Sequence, residues 1–160
     1  MTLASISTDD VLRTIIEKQN HGVFTDALND VSAMSGGLAL FDGDQVLVEP
    51  QCCGDLSNLF DWRVAAAHRG EDREMLYIGH PWLTVSYRPP TLAIFEEEEY
   101  PDTSERRVYH LDPQELANSV VVAEAELRVF ASRISEALRT LAVPGDRDSV
   151  ASRMAGLNVD

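Results

Sequence analysis

Two spacings of apolar residues share this chain, and the points where a period of three to four gives way to a period of two mark its elements. Val11, Leu12, Ile15 and Ile16 fall on one helical face behind Ser7 and Asp10, which resemble a capping box, so a helix is predicted over residues 8–20. Asn20-His21-Gly22 should end it, with Gly22 in left-handed backbone. Phe24, Leu28, Val31 and Met34 recur at helical spacing with Thr25 as N-cap, which predicts a second helix closing at Gly36-Gly37. The period then falls to two. Residues 38–41 and 45–48 flank Asp42-Gly43-Asp44, a connection that tolerates positive φ, and read as a β-hairpin ended by Pro50.

Asp55 is placed to cap a further helix that turns Leu56, Leu59, Phe60 and Val64 inward and runs to about His68. Three strand-like runs follow at 74–78, 82–87 and 91–96, separated by Gly79-His80-Pro81 and Pro89-Pro90, which predicts an antiparallel meander. Residues 107–111 add a short strand at an edge. Asp112, Pro113 and Glu115 then occupy the preferred capping, first-turn and third positions of a helix. Its stripe of Leu116, Val120, Ala123, Leu127, Phe130, Ile134, Ala137 and Leu141 continues until Pro144-Gly145. A rod of about 28 residues spans about 42 Å. It must lie across the whole sheet, break near Ser132, or project toward a second copy as a dimer contact. A last short helix capped by Asp148 and closed at Gly156 carries little apolar surface. The sum is an α+β fold, an antiparallel sheet of four to six strands covered by helices, in a single domain over residues 1–160 with 146–160 as a peripheral tail.

Length and composition narrow the class. At 160 residues, with 44% hydrophobic and 25% charged positions, the chain can build one core without disulfides, so disordered and disulfide-scaffold classes drop out. Thirteen Lys plus Arg against 27 Asp plus Glu leave a net charge of −14, which makes a broad nucleic-acid-binding face improbable. The opening residues lack the basic and apolar regions of a secretory leader, and no apolar run approaches bilayer length, so a cytoplasmic protein without a membrane partner is expected.

Candidate chemistry is sparse. Cys52-Cys53-Gly54 precedes a predicted helix N-terminus, where exposed amides would favour a thiolate, and His80 is the base that a thiol-dependent hydrolase or transferase would use. No local motif joins His21, His68, His80 or His110 to the cysteines, and burial of at least one thiol in the core is the competing expectation. Zinc is disfavoured because adjacent thiols lack the two-to-four-residue spacer that wraps a tetrahedral ion. Asp42-Gly43-Asp44 lacks the later ligands of a calcium loop. Phosphate loops, G-x-S-x-G and H-E-x-x-H are absent, so no catalytic residue, metal or cofactor is assigned. Two features suggest recognition instead. Gly79-His80-Pro81-Trp82 presents an imidazole beside a large aromatic, and Glu96, Glu97, Glu98, Glu99, Tyr100 and Asp102 gather five carboxylates and one ring in seven residues. Such a surface would steer a basic protein partner, or merely keep a strand edge solvated.

The order of an N-terminal helix, a hairpin, Pro50-Gln-Cys-Cys-Gly-Asp-Leu56 with Trp62 beyond it, the Ile78-Gly-His-Pro-Trp82 meander and a closing helix resembles the layout of the SUKH superfamily. That resemblance implies a non-enzymatic α+β binding module. Many such proteins are bacterial immunity proteins that bind and block a toxin domain, often a basic nuclease, a role that the −14 charge would suit.

Overall fold

The computed structural model describes residues 31–97 and 107–157. The predicted helix over 8–20 lies outside them. The predicted helix behind Thr25 is described only from residue 31, and 31–36 are not helical. Met34 is buried, but its N–H donates to Met154 O at 2.8 Å and its O accepts from Leu56 N at 3.0 Å. Its backbone is thus bound sideways to two distant segments, and tertiary pairing has overridden the helical spacing.

The hairpin forms as expected from β1 (Leu40–Asp42) and β2 (Gln45–Val48), with Gly43 at φ 55° in the turn. After Asp55 the chain makes one 3-10 turn at Leu56–Asn58, then α1 at Leu59–Ala67. Asp55 caps this start by accepting from Ser57 N at 2.8 Å. The tighter turn shifts the phase of the helix that follows. Phe60, expected inside, is therefore exposed, whereas Leu59 and Trp62 are buried and the Trp62 indole N–H donates to Leu38 O at 3.2 Å.

The meander is β3 (Glu74–Leu76), β4 (Trp82–Arg88) and β5 (Thr91–Glu97), and β6 (Val108–Leu111) joins it at the edge. Four antiparallel strands run in sequence order, separate from the two-stranded hairpin. Leu76 lies opposite Leu83, and Val85 opposite Ile94; all four are fully buried in one apolar cluster with Leu59, Trp62, Leu127, Ile134 and Leu138.

The long helix, α2 (Pro113–Thr140), is continuous over 28 residues. Asp112 caps it by accepting from Gln114 N and Glu115 N, at 2.7 and 3.0 Å. Ser132 does not break it; its hydroxyl donates to Arg128 O one turn back. The inner stripe buries Leu116, Val120, Leu127, Phe130, Ile134 and Ala137, while Val121, Val122 and Val129 stand exposed on the outer face. Glu124 ties α2 to α1 through Arg63 at 2.6 Å and also pairs with Arg128 at 2.5 Å. The Arg63 hydrogen bond, seconded by Arg128, holds the Glu124 carboxyl below the usual carboxylate range.

The tail forms α3 (Arg147–Met154). Its cap is Asp146, which accepts from Ser149 N at 3.2 Å, not Asp148, which bonds the Ser135 hydroxyl on α2. Val150, Ala151 and Met154, the few apolar residues here, are all turned into the core. Gly156 follows at φ 71° against the backbone of Leu56 and Ser57. A Cβ there would lie 2.3 Å from Leu56 O. Gly156→Ala should therefore cost about 2–4 kcal/mol in urea unfolding, since left-handed strain and overpacking add. Gly43→Ala, at a similar φ but in open space, should cost about 1–2 kcal/mol. Equal losses would show that the contact with Leu56 contributes nothing.

Candidate functional site

The turn at residues 50–55 and the loop at 78–82 meet backbone to backbone. Gln51 N donates to His80 O at 2.8 Å, and His80 N donates to Cys52 O at 3.2 Å. Gly79 permits this approach. Its φ is 94°, and a Cβ would stand 2.5 Å from Cys52 O and 3.0 Å from Gly54 N.

This contact brings together what the sequence left apart. Adjacent side chains on extended backbone point to opposite sides, but Cys53 adopts left-handed backbone at φ 57°, rare for a residue with a side chain. Cys52 Sγ, Cys53 Sγ and a ring nitrogen of His80 consequently all lie within 4.8 Å of one another. Cys52 Sγ is 3.0 Å from His80 Nδ1, within reach for proton transfer. The Trp82 indole stacks on the imidazole at 5.4 Å between centroids and 22° between planes. Both cysteines are reduced and exposed, so the expectation that at least one packs in the core is corrected. The spacer that adjacent thiols lack is a matter of local sequence only, and here a third donor atom arrives from a separate loop.

Beside Cys53 opens a cavity of about 420 Å³ lined by Cys53, Met75, Leu76, Tyr77, Gly79 and Trp82. Its rim is apolar and accessible: Tyr77 is 78% exposed and Trp82 44%. Met75 and Tyr77 were missed in the sequence, although strand alternation carries their signal, since they share the face opposite the buried Leu76 and Ile78. Tyr77 is steadied from below by its N–H, which donates to Asp61 Oδ1 at 2.8 Å. Burial pushes the Asp61 carboxyl above its ordinary value, partly offset by this bond.

The acidic run starts at the same end of the sheet, with Glu97 directly opposite Trp82 in the β4–β5 register. Glu96 and Glu97 are half-buried and engaged within the fold. Glu96 accepts from the Tyr109 hydroxyl at 2.7 Å; Glu97 accepts from Thr84 Oγ1 at 2.6 Å and pairs with Arg73 at 2.8 Å. Glu98, Glu99, Tyr100 and Asp102 lie outside the described residues, as does His21. His68 is bound to Glu74, and His110 sits on β6. Asp42-Gly43-Asp44 is the hairpin turn.

No protein-family model, curated protein or solved structure matches the chain. Among the described residues, no helix is long and apolar enough to cross a membrane.

Asp61 supplies a test of how the rim is supported. A raised folded pKa means that its contribution to stability is fully present below the unfolded carboxylate value and is lost as pH rises through the folded one. An amide oxygen would still accept from Tyr77 without burying charge. Asp61→Asn should thus melt at or above the wild-type temperature at pH 7, and the difference should shrink or reverse near about pH 4. A loss of stability that is the same at both pH values would contradict this account.

Proposed function

We propose that the protein is a binding module that docks a basic protein partner on the face around Trp82, with neutralisation of a toxin domain as its specific form. The observation that carries this reading is the pairing of Trp82 with Glu97 across β4 and β5. It sets an accessible aromatic rim at the root of the acidic run, in a chain of net charge −14. Exposed Trp and Tyr around a desolvated hollow are the usual anchors of an interface, and surrounding carboxylates accelerate encounter with a cationic surface. The Arg73 pair offsets part of the Glu97 charge, so the steering field comes from the chain's overall excess of acids.

The test takes a basic toxin-like domain as the partner, sought first among the products of neighbouring genes. Its on-rate should fall at least about tenfold between about 0.05 and 0.5 M salt. Trp82→Ala should weaken binding about 30-fold or more, mainly through faster dissociation. An on-rate indifferent to salt, together with an unchanged off-rate in Trp82→Ala, would sink the reading.

The 3.0 Å contact of Cys52 Sγ with His80 Nδ1 favours a second reading, a thiol nucleophile activated by imidazole that acts on a group held in the adjoining cavity. Iodoacetamide should then alkylate Cys52 much faster than Cys53, and His80→Ala should slow that reaction at least about tenfold. Equal rates at both thiols, unaffected by His80→Ala, would remove it.

A further inference from the structure

We infer that Cys52, Cys53 and His80 form a binding site for one zinc ion, held by two thiolates and an imidazole nitrogen. The inference is independent of the docking reading. In a tetrahedral site with Zn–S near 2.3 Å and Zn–N near 2.0–2.1 Å, neighbouring donors stand about 3.6–3.8 Å apart. Here the three donor atoms fall within 4.8 Å of one another, with Cys52 Sγ 3.0 Å from His80 Nδ1. Movements of about 1 Å or less in accessible side chains bring all three to that geometry.

Three further features point to a prepared site. The left-handed turn at Cys53 gathers two adjacent thiols on one side, a conformation that residues with side chains avoid unless the surroundings hold them in it. The His80 main chain is bonded on both sides to the ligand turn, through Gln51 N and Cys52 O, so two of the ligands are positioned by a rigid backbone contact. The Trp82 ring stacked on the imidazole restricts its rotation. Soft sulfur donors with one imidazole select zinc over magnesium or calcium, and two thiolates balance the ion's two positive charges. Uptake releases both thiol protons to solvent, while sulfur and metal keep their oxidation states. Three protein ligands leave the fourth tetrahedral position to water, or to a donor carried into the cavity that Cys53 also lines.

A bound zinc would engage the two groups that the thiol-nucleophile reading requires, so the two are mutually exclusive. The experiment uses the full reduced chain, stripped of metal and titrated with Co²⁺ as a spectroscopic stand-in and then with Zn²⁺. Expected are one equivalent of Co²⁺, a thiolate-to-cobalt charge-transfer band with tetrahedral ligand-field bands, and displacement by Zn²⁺. Cys52→Ser, Cys53→Ser and His80→Ala should each weaken zinc at least about 100-fold, no less than the loss of an outer-sphere partner. Absence of the charge-transfer band overturns the site, as does any one of the three variants that binds within about threefold of wild type. A measurement on the unaltered chain covers the case of a variant that does not fold. Zinc should protect both thiols from iodoacetamide and His80 from diethyl pyrocarbonate, read by mass spectrometry, and an imidazole modified at the same rate with and without zinc would refute its role as a ligand. Failure of the docking experiment would leave these results unchanged, so the two readings fall separately.

Discussion

Everything at the candidate site depends on two stretches of main chain being able to touch. The 50–55 turn and the 78–82 loop exchange a pair of backbone hydrogen bonds, and that exchange has room only because residue 79 has no side chain. These backbone hydrogen bonds tie the turn to the loop, so the thiols, the imidazole and the indole share a common frame. The chemistry proposed for them is a property of that frame, since none of these residues is unusual alone.

The rest of the fold holds the frame in place. Leu76 and Ile78, on either side of Tyr77, anchor the loop in the core, while Leu56 and Leu59 anchor the end of the turn. The same alternation that buries Leu76 and Ile78 leaves Met75 and Tyr77 outside, so the apolar rim is a direct consequence of how the strand is secured. Charge takes a secondary part. Glu124 clamps two helices, and Glu96 and Glu97 are tied down by Tyr109, Thr84 and Arg73, so part of the acidic excess serves the fold itself.

Most of the architecture was legible in the sequence because it rests on local signals. The hairpin, the meander with its Pro89-Pro90 turn and the Asp112-Pro113 start of the long helix each follow from a few neighbouring residues. The misreadings arise where a distant contact outweighs the local pattern. Met34 keeps helical spacing but gives its hydrogen bonds to Leu56 and Met154, and Phe60 is turned outward by a 3-10 turn that hydrophobic spacing does not reveal. Asp148 looks like a cap until Ser135 claims its carboxylate. The site was legible only in pieces. Gly79, His80 and Trp82 stood out as a turn beside an aromatic, and the cysteines as a pair, yet nothing in linear spacing reports that 28 positions of chain fold back to join them.

The bridge through Met34, bonded to Leu56 on one side and Met154 on the other, bears on how the protein matures. Pairings between residues so remote in sequence form late, because a long loop must close before they bring any gain. During synthesis the cysteine turn must therefore wait for α3 to leave the ribosome before its surroundings are complete. Both thiols remain exposed in the finished fold, so what α3 completes is the support behind the turn and not a cover over the sulfurs.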